Sequence, residues 1–350
     1  MVTARSVDDL LALVPHMLGF HPSESLIIML AQQGRVVLTA RMDLAEARSP
    51  GAVRALLARM RVRFPESQAW YAAYGADADA AWRVLRHCAR EVPRSLGGVY
   101  VDGRSWWRSP KGPPNEYPPR SAAARVMAET RGKVVRPSRG DLAATVAGPS
   151  PAEVATAELA IAREKTRLGR VPREEWPGLM RRALASGDAS PPVARLALWA
   201  QDQSARDAAL LALTRTRAAR HLELWRQVVC RTPPRLAAHP LGLAGMAAWL
   251  AGDGALQTVC LDRAEALDPA LPLVAVLSHI NATVLPPTVW PELRRELAAR
   301  LRPSPPGEPT KLSRPHRSPD NSRSADPARS SKPGPASEAI RPPLELRNAS

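Results

Sequence analysis

The chain has 350 residues, of which 45% are hydrophobic and 4% aromatic, and its formal net charge is +16. This length suits about two domains, and the alanine-, leucine- and valine-rich composition favours packed helices over an aromatic-rich β-sandwich. The three cysteines, Cys88, Cys230 and Cys260, lack zinc-site spacing, and no stretch reaches the roughly 18 apolar residues of a membrane span. We therefore expect a soluble, cytoplasmic chain with no metal, no cofactor and no membrane partner.

The first 120 residues predict an α/β domain built on a mixed sheet with helices. Ser6 opens a capping-box-like helix start, and Pro15 is expected to end or kink this first helix. The segment 25–44 predicts two strands that turn at Gln33-Gly34 and form a hairpin with one buried face. Further patterns predict, in chain order, a helix over 51–64, a strand over 68–75, a helix over 77–92 and a second hairpin over 96–107.

The rest of the chain predicts helices and then a tail. A bridging segment over 121–150 leads into an all-helical domain over 151–301, which includes one long predicted helix over 192–214. Residues 302–350 contain eleven prolines and no aromatic residue, so they cannot bury enough apolar surface to offset the entropy of ordering. We expect this tail to be disordered. Its nine basic and five acidic residues leave a net charge of +4 (9 minus 5).

Several stretches resemble a known family of proteins. In chain order they are MLGFHPSESLIIML, GRVVLTARMDL, SRGDLAATVAG, RDAALLAL and AAWLAGDGALQTVCLDRAEALDP. Together they are similar to an uncharacterised actinobacterial family that is grouped as a domain of unknown function and carries an amino-terminal LLGFHP..SLV signature. The resemblance spans residues 6–301. It implies family membership but no activity, because the family has no established activity.

The segment PHMLGFHPSESLIIML sets polar side chains just before an apolar strand. In a catalytic interpretation His21 is a general base that Glu24 orients, and Ser23 or Ser25 is the nucleophile or substrate anchor. Asp43 ends the predicted partner strand and is a candidate neighbour of this loop. A hydrolase-like site would therefore use His21, Glu24 and Asp43.

A structural interpretation of the same segment is also open. Gly19 would end the first helix, Pro22 would form a rigid turn, and the Ser and Glu side chains would cap free backbone groups. The polar residues are too close in sequence for a catalytic triad without a sharp turn, and GFHPSES is not the G-x-S-x-G nucleophile elbow. We favour a structural or binding role and assign no catalytic residue. The candidate binding residues of this segment are His16, Phe20, His21 and Ser23.

Two other motifs suggest binding. Trp106 and Trp107, beside Arg104 and Arg108, are candidate stacking residues for a single-stranded nucleic acid. Adjacent strand residues point to opposite faces, so we expect one tryptophan in the core and the other exposed or covered. The segment AAWLAGDGALQTVCLDRAEALDP resembles half of a tetratricopeptide unit, but no second copy follows at a period of about 34 residues, which favours a single helical hairpin.

The favoured hypothesis is a non-catalytic cytoplasmic protein that binds a protein or a small-molecule ligand. One alternative is a hydrolase-like enzyme that uses the His21 loop. The other is a nucleic-acid-binding protein that uses its arginines and basic tail, because basic side chains neutralise phosphates. The excess of arginine over lysine also fits the composition bias of a GC-rich genome, so charge alone does not separate these functions.

Overall fold

The computed structural model describes residues 6–91, 95–118, 121–131, 134–185 and 192–301. Within these ranges the chain forms a mixed β-sheet followed by helices, which confirms the predicted fold class. The described residues belong to one compact unit. The division of this unit into domains at residues 120 and 151 stays a prediction, and the predicted disordered tail over 302–350 lies outside the described residues.

The strands and helices follow one another along the chain as expected for an α/β region and then a helical region. The strands are β1 Ser25–Gln32, β2 Arg35–Asp43, β3 Gln68–Tyr74, β4 Ser95–Val101, β5 Ser105–Trp107 and β6 Asn115–Glu116. The helices of the first region are α1 Val7–Leu18, α2 Leu44–Ala47, α3 Pro50–Arg63 and α4 Ala78–Glu91. The later helices are α5 Ala122–Arg131, α6 Arg139–Ala144, α7 Pro151–Leu168, α8 Trp176–Ala185, α9 Val193–Trp199, α10 Gln203–Ala212, α11 Ala218–Cys230, α12 Ala238–Leu250, α13 Gly254–Leu267, α14 Pro272–Thr283 and α15 Trp290–Arg300.

The sheet has the strand order β2-β1-β3-β4-β5-β6, with β3 and β4 parallel and the other neighbours antiparallel. Helix α4 makes the crossover that a parallel pair requires. Both predicted hairpins are present. Gln33 and Gly34 have φ values of 51° and 72°, the positive values that a type I′ turn demands. In the second hairpin the Asp102 carboxylate accepts hydrogen bonds from the backbone N–H groups of Arg104 and Ser105, both at 2.7 Å.

Strand β1 is buried on both faces, so the predicted hairpin with a single buried face is wrong for this strand. Ile27 and Met29 belong to the apolar cluster that contains α1, whereas Leu26 and Ile28 belong to the cluster formed with α3 and α4. The reason is position, because β1 lies inside the sheet and helices cover both of its sides. Strand β2 is at the edge, and only there does the half-buried pattern hold.

Two helix boundaries differ from the prediction. The predicted helix end at Pro15 is wrong, because Pro15 lies inside α1, which continues to Leu18 and is capped by Gly19, whose φ is 81°; the alternative of a kink at Pro15 stays a prediction. The loss of one helical hydrogen bond at Pro15 is offset by the burial of neighbouring leucine and valine side chains in the core. The long helix predicted over 192–214 is divided into α9 and α10, because the Asp202 side chain caps the second helix by accepting the Ala205 N–H at 2.9 Å.

The helical region packs around α12, whose residues from Pro240 to Leu250 are all buried. A Cβ on Gly245 would lie 2.8 Å from Leu277 Cδ1, so α12 and α14 can approach this closely only with glycine there. The apolar cluster on the α1 side of the sheet is continuous with this helical core. Helix α7 contributes Ile161 to that core, and Glu164, on the same buried face, contacts Arg195 of α9.

Candidate functional site

The segment that follows α1 is fixed to the chain through its backbone. Phe20 pairs with Arg136 in an isolated parallel bridge, and the His21 N–H donates to the Arg136 carbonyl at 3.0 Å. Phe20 is 2% exposed and packs in the core, whereas the His21 side chain is exposed. Partial burial and the electrostatic interaction with His21 lower the pKa of His16. Phe20 is thus part of the packing, and His21 is the accessible ring of the predicted loop.

Glu24 closes the connection between β3 and α4. Its Oε1 accepts the Ala76 N–H at 2.9 Å, and its backbone carbonyl accepts the Leu44 N–H at 2.9 Å. A Cβ on Gly75 would lie 2.7 Å from Leu44 Cδ2 and 3.3 Å from both Glu24 carboxylate oxygens, so this contact requires glycine. The Glu24 side chain therefore caps a backbone group, as the structural interpretation of the loop expects.

Ser25 and Asp43 both contact the Arg41 side chain, and among the described residues neither side chain hydrogen-bonds to Glu24. Ser25 Oγ donates to the Ser23 carbonyl at 2.6 Å and accepts from Arg41 Nε at 2.9 Å. Arg41 also forms an ion pair with Asp43 at 2.5 Å. No hydrogen bond between described residues joins the side chains of His21, Glu24 and Asp43 to one another. In the hydrolase-like site predicted from the sequence, Glu24 therefore binds the Ala76 N–H and Asp43 pairs with Arg41, and in the part of the chain that the structure describes neither is hydrogen-bonded to His21.

Trp106 and Trp107 occupy opposite faces of the sheet, as strand geometry predicts. Trp106 is 4% exposed and lies in the core on the α1 side, and the Arg108 guanidinium lies 5.6 Å from its ring centroid. Trp107 stacks on Tyr100 with ring centroids 5.2 Å apart. Trp106 is therefore closed to a nucleic-acid base, whereas Trp107 is partly exposed and already stacks on Tyr100.

Two histidines of the helical region, the buried His221 and the partly buried His239, were not identified from the sequence. Burial, followed by the charges of Arg220 and Arg217, lowers the pKa of His221 to about 4. Burial and the charge of Arg206 lower the pKa of His239 to about 4. In each ring Nδ1 has no hydrogen-bond partner in the described part of the chain. His221 is therefore a buried neutral imidazole and His239 a partly buried one, and a local sequence pattern carries no signal for their burial.

The described ranges contain neither a metal-binding group of side chains nor a membrane-spanning helix. No three His, Cys, Asp or Glu side chains there are grouped in a way that could hold a metal ion. No described helix is both long enough and apolar enough to cross a membrane.

A cavity of about 540 Å³ lies between α7, α9 and the end of α11, and we call it the α7 pocket. Its walls combine small apolar side chains with a few charged ones. The lining residues are Pro149, Glu153, Thr156, Ala157, Ala160, Arg163, Glu164, Arg167, Pro192, Val193, Ala194, Cys230 and Arg231. Those from α7 recur at intervals of three and four residues, so one face of this helix forms a wall.

Glu164 is the buried charge of the α7 pocket, with a residue exposure of 4%. Its carboxylate accepts hydrogen bonds from Arg167 Nη1 at 2.6 Å and from Arg195 Nε at 2.9 Å. Burial raises the pKa of Glu164, but the hydrogen bonds from Arg195 and Arg167 outweigh burial, and the pKa is lowered overall. The carboxylate is therefore ionised, and it joins α7 to α9 at the pocket wall.

Sequence reasoning predicted α7 as a helix but did not identify its pocket-forming face. The available signal was local: Ala157 and Ala160 place small side chains on the same face as Glu164 and its arginine neighbours. The decisive partner, Arg195, is 31 residues further along the chain. No periodic pattern connects the two positions, so only the folded chain shows the site.

Fold and cavity together define a mixed α/β protein with a pocket of small-molecule size in its helical part. The chain belongs to the family described as Domain of unknown function (DUF4192), whose model matches residues 8–288. This confirms the predicted membership in a family of unknown function. Comparison with curated proteins and with solved structures gave no match.

Proposed function

We propose that this protein binds a small molecule in the α7 pocket without chemically transforming it. The observation that carries the proposal is the pocket itself. Its volume of about 540 Å³ lies within the roughly 300–1,000 Å³ that is typical of small-molecule sites. Apolar walls with a few fixed polar groups are the usual composition of such sites.

The chemistry of the lining supports binding more than catalysis. No histidine is among the lining residues, and the thiol of Cys230 donates to the Thr145 carbonyl at 3.3 Å. The Glu164 carboxylate accepts from two guanidinium groups, so it has no proton to give and little basicity for taking one. A nucleophile activated by a neighbouring base, the usual requirement for covalent catalysis, is missing from this set of lining residues.

The two alternative functions have weaker support. A hydrolase-like site needs His21, Glu24 and Asp43 to act together, but Glu24 accepts from Ala76 and Asp43 pairs with Arg41. Nucleic-acid binding needs a surface of free arginines, but many described arginines already pair with carboxylates. These include Arg41, Arg48, Arg54, Arg139, Arg167, Arg195, Arg226 and Arg235.

The proposal also covers the setting of the protein. A non-catalytic binding role in the cytoplasm of an actinobacterium is the setting that the sequence resemblance and the composition favour. We also propose that MLGFHPSESL, residues 17–26, is this chain's form of the LLGFHP..SLV signature. Fractionation of a native host with an antibody against the chain tests the location, and finding the chain mainly in a membrane fraction would contradict it.

A fluorescence titration with the uncharged apolar dye N-phenyl-1-naphthylamine tests the pocket. We expect saturable binding to the full chain with a single class of site. Replacing Ala160 with tryptophan should fill the pocket and weaken dye binding at least tenfold. Ala160 lies on an exposed helix face, so the variant is expected to fold, and Thr156→Trp provides an independent second filling variant.

The matched control is Leu159→Trp. Leu159 lies on the same helix but outside the pocket lining and is 60% exposed, so this change adds the same ring without filling the cavity. Circular dichroism verifies that all three variants keep their helix content. If the dye fails to bind, or if Leu159→Trp weakens binding as much as Ala160→Trp, the pocket is not the binding site and the proposal is wrong.

A further inference from the structure

We infer that the ligand of the α7 pocket carries an anionic group, such as a carboxylate, phosphate or sulfonate, on an apolar body. This inference rests on the proposed function and names the chemical class of its ligand. It follows from three features of the lining: the pairing of its carboxylates, the unpaired state of two arginines, and the apolar surface between them.

Both carboxylates of the lining already accept hydrogen bonds from protein groups. Glu164 accepts from Arg167 and Arg195. Glu153 accepts from the backbone N–H and the hydroxyl of Ser150, at 2.9 and 2.6 Å, in the capping box of α7. The positive end of the helix dipole at the start of α7 also stabilises the negative charge of Glu153. Glu164 is therefore already paired with two cations, and Glu153 is held at the start of α7 by Ser150.

Two arginines of the lining remain without such partners. Among the described residues, no hydrogen bond or ion pair engages the side chain of Arg163 or Arg231, although both contribute to the pocket wall. Arg235, by contrast, forms a two-fold contact with Glu158 on α7. The pocket thus has uncompensated positive charge. Guanidinium groups bind carboxylate and phosphate through paired N–H donors, which matches an anionic group at this position.

The remaining wall is apolar. Ala157, Ala160, Val193 and Ala194 present only methyl-sized or branched aliphatic groups to the cavity. Such a surface gains free energy by covering hydrocarbon and offers nothing to a strongly polar body. The lining therefore fits a ligand with two parts. Its anionic group would lie near Arg163 and Arg231, and its apolar body would lie against α7 and α9.

Two dyes of similar shape separate charge from apolar contact. The anionic dye is 1-anilinonaphthalene-8-sulfonate, and the uncharged dye is N-phenyl-1-naphthylamine. We expect the double variant Arg163→Gln/Arg231→Gln to weaken binding of the anionic dye at least fivefold in the full chain. Binding of the uncharged dye should change less than twofold, because its apolar contacts are intact.

The matched control removes two charges elsewhere. Arg83→Gln/Arg86→Gln alters exposed positions on α4, outside the pocket, and should leave the affinity for both dyes unchanged. If both dyes bind and Ala160→Trp weakens both, but the pocket arginines do not affect the anionic dye, the inference about charge is wrong while the binding function stands. If neither dye responds to Ala160→Trp, the binding function itself is wrong. A loss of anionic-dye affinity in the α4 control that equals the loss in the pocket variant would also overturn the inference, because general charge would then explain it.

Discussion

At the residue scale, the interaction that shapes the α7 pocket is the buried ion pair of Glu164. Removing the charge from a buried carboxylate leaves its guanidinium partners with weaker acceptors and therefore lowers stability. In an exposed pair water replaces the lost interaction, so the free energy of unfolding changes little. We expect Glu164→Gln to lower the free energy of unfolding by about 1–3 kcal/mol. Urea titration of the full chain measures this change.

An exposed pair on the same helix supplies the control. The Glu158 side chain is 37% exposed and that of its partner Arg235 is 57% exposed. Glu158→Gln should cost less than about 1 kcal/mol. Equal losses in the two variants would mean that burial of Glu164 contributes nothing special.

The two histidines of lowered pKa give a second prediction at this scale. His221 and His239 have a pKa of about 4 in the folded chain, against the ordinary value of 6.5. Between these two values the unfolded chain binds more protons, so stability should rise with pH and level off above pH 6.5. Each ring contributes at most about 3 kcal/mol to this rise.

Chemical unfolding at a series of pH values measures the effect of these rings. His221→Gln combined with His239→Gln should flatten the rise between pH 5 and about 6.5, where carboxylates contribute little. A rise of the same size in the double variant would assign the pH dependence to other groups.

At the element scale, the junction of β3 and α4 depends on one close contact. A Cβ at position 75 would collide with Leu44 and press on the Glu24 carboxylate. We expect Gly75→Ala to lower the free energy of unfolding by about 1–3 kcal/mol, because the junction must shift to make room. Thermal and urea unfolding check this value.

Gly51→Ala is the matched change in open space. Gly51 lies at the second position of α3, and the nearest atom to an added Cβ is Ser49 Oγ at 3.8 Å. Alanine has the higher helix propensity, so this variant should be neutral or more stable by up to about 1 kcal/mol. A Gly75→Ala protein as stable as the Gly51→Ala protein would contradict the steric argument.

The elements that the sequence predicts correctly are held by interactions between residues that are close together along the chain. The turns at Gln33-Gly34 and Asp102-Gly103 and the cap at Ser6 need only a few adjacent residues. Helix α14 lies inside the all-helical range predicted over 151–301, and Pro272 marks its first turn. Burial of both β1 faces was missed because it depends on which helices cover the sheet.

At the scale of the whole molecule, the apolar core runs from the sheet into the helical region and lies within residues 6–301. The composition of residues 302–350 predicts that they add nothing to this core. Deleting them should therefore shift the thermal unfolding midpoint by less than about 2 °C. Calorimetry of the shortened and full chains compares the two midpoints.

A shorter chain that also lacks α15 shows how large the shift in the unfolding midpoint is when core residues are removed. Ending the chain after Pro286 removes Trp290, which is 6% exposed and donates to the Leu213 carbonyl at 2.9 Å. That chain should lose stability clearly. A midpoint that falls by about 5 °C or more on removal of residues 302–350 alone would show that these residues pack on the core.

The sequence by itself determined the order of most helices and strands, the turn positions, the placement of the two tryptophans on opposite faces and the family. Each of these depends on residues that are close along the chain, where capping, turn geometry and alternation act. Only the tertiary structure decided that Phe20 is core, that Glu24 caps a backbone group and that α7 and α9 enclose a pocket. These features join residues far apart in sequence, and burial, which determines the pKa and the accessibility of a side chain, exists only after those residues have packed together.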